Sequence, residues 1–125
     1  MSPSPQYSLP KDERLHGKKD IANLLANGKF RTCMNIRYCF VRDNGLPFSR
    51  IMVSVPKKLF KRAVKRNTLK RRIRESYRLQ KHLLPEGCGT DIMFVYSSKE
   101  ISESAAIFSA IGRILNDISN EIRKD

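Results

Sequence analysis

The residues of this chain that could do chemistry are mostly cations. From Lys57 to His82 the sequence reads KKLFKRAVKRNTLKRRIRESYRLQKH, with twelve of the chain's 25 Lys and Arg and a single acid, Glu75. Lys and Arg side chains in such a run contact phosphates, and they do so best when one surface collects them. On a wheel of about 3.6 residues per turn, Asn67, Lys70, Arg71, Arg74, Arg78 and Lys81 gather on one side. Leu69, Ile73, Ser76, Tyr77 and Gln80 form another stripe, which Leu83 and Leu84 extend, and Arg66 and Arg72 sit on its two flanks. A solvated helix face normally alternates Glu with Lys and gains support from that alternation. Here Lys70 repels Arg74 and Arg74 repels Arg78, each pair costing a few tenths of a kcal/mol in isolation. A polyanion that neutralises the face accounts for what solvation does not.

Catalytic constellations are missing around these cations. The sequence has no G-x-x-x-x-G-K-[ST], G-x-G-x-x-G, H-E-x-x-H or G-x-S-x-G. Acids for metal-assisted phosphodiester cleavage would have to lie where the substrate lies, and the basic run offers only Glu75. Tyr38, Phe40, Phe48 and Phe60 are candidate rings for stacking single-stranded bases, although each suits a core better than a stacking platform. His16 and His82 stand apart from any Cys or acid at metal-ligand spacing and read as surface or RNA-facing residues. Cys33, Cys39 and Cys88 are odd in number and lack C-x-x-C spacing, which disfavours a disulfide framework or a zinc site and suits a reduced, cytoplasmic compartment.

Composition sets the scale for the elements that must position these groups. A chain of 125 residues with 40% hydrophobic content is expected to form one domain around one core. The net charge is +13, which calls for an anionic partner, nucleic acid before membrane. The excess is local: residues 85–125 hold seven acids and four bases, leaving 21 bases and five acids in 1–84. No apolar run reaches the length of a membrane span, and MSPSPQYSLP lacks the apolar core of a signal peptide.

Residues 1–10, with three prolines, are expected to be an extended or disordered lead-in, and Lys11–His16 an irregular charged stretch. Ile21, Leu24 and Leu25 predict a short amphipathic helix over about Lys18–Asn27, with Asp20 in its first turn and Gly28 at its end. Asn35–Arg42 predicts a strand with Ile36, Tyr38 and Phe40 on one face and Arg37, Cys39 and Val41 on the other. The Asp43-Asn44-Gly45 turn signal then predicts an antiparallel hairpin with a second strand, Ser49–Val55, closed by Pro56. After the basic helix and a turn at residues 86–89, the apolar run Asp91–Tyr96 predicts a central buried strand. A last helix over about Glu103–Arg123 is expected to be capped by Ser102. Its core stripe is Ile107, Ile111, Ile114, Ile118 and Ile122, with Phe108 and Leu115 beside it. The order α, β, β, α, β, α is α+β in class.

Residues 52–78, MVSVPKKLFKRAVKRNTLKRRIRESYR, resemble the signature of the bacterial ribonuclease P protein family. In that family a strand ends in a K-K pair, a short loop follows, and R-N-x-x-K-R-x-x-R lies on a helix. The matching residues are Lys57, Lys58, Arg66, Asn67, Lys70, Arg71 and Arg74. Leu15, Asp20, Ile21, Leu24, Leu25 and Gly28 agree more loosely with the family's opening, and the likeness covers roughly residues 9–123, read as a domain of residues 11–123. The resemblance implies a two-layer α/β sandwich on a mixed four-stranded sheet, ordered α-β-β-(β)-α-β-α, with a left-handed β-α-β crossover. It implies a protein subunit that docks on the catalytic RNA, holds the 5′ leader of precursor tRNA, and leaves Mg²⁺-dependent hydrolysis to the RNA. The chain itself would carry no catalytic residue and hold no cofactor, Mg²⁺ being bound on the RNA partner. A monomer in a 1:1 ribonucleoprotein, with no membrane contact, is expected.

On this reading RNA is bound by Lys57, Lys58, Lys61, Arg62, Lys65, Arg66, Asn67, Lys70, Arg71, Arg74 and Arg78. The leader would lie in a cleft between the sheet and the first helix, against Ile21 and Leu25. The strand facing it would offer either Arg37 and Cys39, which the register favours, or Tyr38 and Phe40, which aromatic preference favours. Two departures from the family pattern stand out: Thr68 replaces a customary arginine, and Ile21 and Leu25 replace customary aromatics. Two rival readings remain. A ribosomal or general RNA-chaperone protein would bind unrelated structured RNAs equally well, and a self-sufficient nuclease would cleave without an RNA subunit.

Overall fold

The computed structural model describes residues 13–87 and 89–124. The expected lead-in over residues 1–10 and Cys88 in the turn lie outside them. The elements run α1 (Lys18–Asn27), β1 (Arg31–Cys33), β2 (Ile36–Arg42), β3 (Arg50–Ser54), α2 (Ala63–Gln80), β4 (Thr90–Tyr96) and α3 (Ser104–Lys124), with one 3-10 turn at Lys81–Leu83. This is the α+β arrangement with a mixed four-stranded sheet. The sheet order is β1-β2-β4-β3.

That order corrects the expected hairpin. β3 does not pair with β2; β4 lies between them, antiparallel to β2 (Ile36↔Tyr96 through Arg42↔Thr90) and parallel to β3 (Arg50↔Asp91 through Ser54↔Val95). The turn signal is real, since Asp43 and Gly45 both take positive φ. It opens a longer loop, which folds back on the start of β4 and the residue before it. The Asn44 side chain donates to Asp91 (2.8 Å) and accepts from the Leu46 N–H (2.8 Å), while the Asn44 N–H donates to the Gly89 carbonyl (3.0 Å). The central position of β4 follows from its composition: only a strand covered on both faces hides Ile92, Met93 and Phe94 together. A hairpin does form, between β1 and β2, through Met34 at φ 56° and Asn35.

Two apolar clusters sandwich the sheet. On one face Ile36, Tyr38, Ile51, Ile92, Phe94 and Tyr96 meet Leu69, Ile73 and Tyr77 of α2 and Ile107, Ile111, Ile114, Leu115 and Ile118 of α3. On the other, Cys39 and Met93 meet Leu24 of α1 and Leu15, with Ile21, Val41, Met52 and Val95 packed around them. The buried side of α2 is the expected stripe: Leu69, Ile73, Ser76, Tyr77 and Gln80.

Two expectations for α3 change. Phe108 faces outward, 43% exposed. The helix begins at Ser104, so Ser102 is not its cap. Instead the Ser102 hydroxyl lies 2.8 Å from the Tyr96 hydroxyl and accepts from Asn35 Nδ2 (2.9 Å).

Gly28 ends α1 by close approach. Its N–H donates to the Leu24 carbonyl (2.8 Å), and a Cβ there would lie 2.7 Å from that carbonyl and 3.2 Å from the Cys39 Cβ. Gly28→Ala is therefore expected to destabilise the fold by about 1–3 kcal/mol, as overpacking typically does. Urea denaturation measures it; an unchanged midpoint would contradict the contact.

Candidate nucleic-acid interface

The basic run folds as two pieces. Lys57–Arg62 form a turn and loop, and the helix starts only at Ala63. Lys57, Lys58, Lys61, Arg62 and Lys65 are exposed around its N-terminal end, and Asn67, Arg71 and Arg74 are exposed along its outer side. Lys70 is half-buried, and so is Arg78, which donates to Glu75 (3.3 Å). The first turn of α2 contains no acid. Cations there oppose the positive end of the helix macrodipole, each by about 0.3–1 kcal/mol at low salt. Anions are favoured at that end for the same reason.

Not every arginine of the run is turned outward. Arg66 Nη1 donates to the carbonyls of Phe60 and Lys61, both at 2.8 Å, and so fastens the loop to the helix. Arg72 Nη1 donates to the Ser102 carbonyl (2.8 Å), tying α2 to the segment before α3. Thr68, in the customary arginine position, donates to the Val64 carbonyl one turn back (3.0 Å).

The fold also adds a cation that the sequence reading missed. Arg14 forms a parallel bridge with Ile51 at the edge of β3, and the Leu15 N–H donates to the Ile51 carbonyl (2.7 Å). Arg14 thereby joins Arg71, Arg74 and Arg78 around a cavity of about 260 Å³. Arg14, His16 and Arg74 line a second cavity of about 350 Å³ along Ile51–Val53. Nothing local in the sequence could have signalled this, because the partners lie some 60 residues away.

The opposite sheet face carries the second candidate region. α1 crosses it over β2 and β4. Its N-terminal end is tied down by Arg50, which donates to Asp20 (3.1 Å) and, through Nε and Nη2, to both carboxylate oxygens of Asp91 (2.9 and 2.7 Å). These bonds to Asp91 hold the Arg50 guanidinium above its ordinary pKa.

Strand alternation puts Arg37 and Cys39 on the side of α1 and Tyr38 and Phe40 on the side of α2 and α3. Tyr38 and Phe40 are thus removed from any cleft beneath α1. Tyr38 is core, and Phe40 packs against the same cluster beneath Arg31 (5.7 Å to the ring centroid). Cys39 is fully buried, and burial pushes its thiol pKa up. Ile21 is half-buried and Leu25 is 51% exposed, so α1 offers aliphatic side chains rather than rings at these two positions. Of the remaining ring candidates, Phe60 is buried against Tyr96 (6.0 Å between centroids) and Phe48 is half-buried. Among the described residues the exposed ring on this face is Phe30, which the sequence reading passed over.

A mixed sheet with one helix on one face and two on the other, and with cations collected on the outer side of one helix, defines a strongly basic α+β domain. The family model described as Ribonuclease P matches residues 9–119. The chain belongs to the ribonuclease P protein family. It is 33% identical to the ribonuclease P protein component of Porphyromonas gingivalis over 98% of this chain and 94% of that one. It is 37% identical to that of Thermotoga maritima over 77% and 78%. The solved Thermotoga maritima protein superposes with a TM-score of 0.71 at 27% identity, covering 84% of this chain and 96% of that one. A Staphylococcus aureus ribonuclease P protein, 22% identical, shares the fold with a TM-score of 0.72, covering 85% and 94%.

Proposed function

We propose that the chain is the protein subunit of a bacterial-type ribonuclease P. It binds the catalytic RNA through α2 and the loop before it, contacts the 5′ leader of precursor tRNA on the α1 side of the sheet, and assists Mg²⁺-dependent release of the leader. The observation that carries this reading is the outer side of α2, where Asn67, Arg71 and Arg74 of the family signature stand exposed together. Family membership supplies the partner class, and charge supplies the means. Phosphate contacts of this kind position an RNA without reading its sequence.

The chain's part is to bind and orient. On this proposal no step of the hydrolysis is routed through this chain. Mg²⁺ belongs, on this proposal, to the RNA. Among the described residues no helix is long and apolar enough to cross a membrane. A cytoplasmic 1:1 ribonucleoprotein completes the proposal.

Reconstitution with a bacterial ribonuclease P RNA tests it. Added protein should stimulate precursor-tRNA cleavage at low Mg²⁺, and the protein alone should cleave nothing. Absence of stimulation, with comparable affinity for unrelated structured RNAs, would assign the chain to general RNA binding instead.

A further inference from the structure

Two arginines of the sheet lie over aromatic rings, and their surroundings differ. On the side of the two long helices, Arg31 over Phe40 is also held by both carboxylate oxygens of Glu121 at 2.5 and 2.6 Å. That cation is satisfied within the fold. On the side of α1, the Arg37 guanidinium lies 4.8 Å from the centroid of the Phe30 ring. Arg37 is exposed, and among the described residues no acid forms an ion pair with it.

The register fixes where this pair stands. Thr32 lies opposite Arg37 and Arg31 opposite Tyr38, so Phe30, one step before β1, falls beside Cys39 on the face that α1 covers. Gly28 has by then ended the helix against Cys39 and the Phe40 carbonyl, and the ring emerges where α1 leaves the sheet. Phe30 is 38% exposed, and among the described residues it is the one exposed aromatic on this face. The two α1 positions that could have offered rings hold Ile21 and Leu25.

We propose that the Phe30–Arg37 pair is a nucleotide site for single-stranded RNA. One side of the ring is backed by the guanidinium, which fixes its orientation by cation–π attraction. A base stacks on the open side, and Arg37, lacking an acid partner, takes a flanking phosphate. Base–aromatic stacking tolerates any sequence because every base has a π-face. The site therefore suits a segment held without sequence preference, such as a tRNA leader, and the inference rests on the ribonuclease P reading above.

The test uses the reconstituted holoenzyme and a precursor tRNA with a fluorescent adenine analogue at successive leader positions. Stacking should quench the analogue at one position with the unaltered protein and with Phe30→Tyr, and Phe30→Ala should relieve the quenching. Phe30→Ala should also weaken binding of leader-bearing precursor about tenfold, leaving affinity for leaderless tRNA and for the catalytic RNA unchanged. Arg37→Gln should lower the salt dependence of leader binding by about 0.7 of a log-log unit, the single-strand value for one phosphate. An unchanged ratio of leader-bearing to leaderless affinity in Phe30→Ala overturns the site while leaving the ribonuclease reading intact. Failure of the unaltered protein to stimulate cleavage overturns both.

Discussion

Arg74→Ala is expected to weaken binding of the catalytic RNA about tenfold at moderate salt and to reduce the slope of log affinity against log salt by about 0.7–0.9. Arg71→Ala should behave alike. Both side chains are exposed and line the cavity shared with Arg14 and Arg78, so neither supports the core. Stability should move the other way. Removing Arg74 relieves its repulsion with Lys70 and Arg78, each worth a few tenths of a kcal/mol, so thermal unfolding of the free protein should stay level or rise slightly. Filter binding across a salt series, paired with calorimetry, separates the two effects. An unchanged slope in both variants would show that this side of α2 faces away from RNA.

Arg50→Met is expected to destabilise the fold by about 3–5 kcal/mol, the usual penalty for stripping one partner from a buried ion pair. The Arg50 and Asp91 side chains are 16% and 6% exposed. Without the guanidinium, Asp91 would keep the Asn44 amide as its side-chain partner among the described residues. Asp20→Asn should cost under about 1 kcal/mol, because that carboxylate is 49% exposed and solvent screens the pair. The double variant Arg50→Met/Asp91→Leu should recover much of the loss, since no buried charge is then left unpaired. Guanidinium denaturation of the three variants reads this ranking; equal losses for Arg50→Met and Asp20→Asn would refute it. Arg50 joins α1 to two strands, so the same substitution should also blunt discrimination between leader-bearing and leaderless tRNA.

Local periodicity was enough to find α1, the buried stripe of α2 and the central strand β4, because each is dictated by residues near one another in the chain. Pairing was not legible in the same way. Asp43-Asn44-Gly45 is a proper turn signal, yet the strand that completes β2 is β4, some fifty residues on, and its long apolar run outcompetes β3 for the doubly covered place. The short β1, for which the family resemblance allowed a further strand, was not located by periodicity because its turn, Met34–Asn35, lacks the glycine that usually marks one. In the basic run, residue types disclosed the charge but not its deployment: Arg66, expected to bind RNA, ties the loop to α2, and Arg72, expected only on a flank of the apolar stripe, ties α2 to the segment before α3. Arg14 and Phe30 went unseen because their placement comes from β-edge position and strand register, which no helical wheel displays.

The place of β4 also has a consequence for the order of events during synthesis. β2 and β3 are complete by residue 54 and α2 by residue 80, but the strand that joins the sheet's two halves comes last, at residues 90–96. Until then β3 lacks β4, the strand it pairs with, and the apolar stripe of α2 has no completed floor. Non-local pairing of this kind is slow to form. The cations on α2 therefore leave the ribosome ahead of the scaffold that orders them, and a nascent chain can meet a polyanion before its sheet has closed.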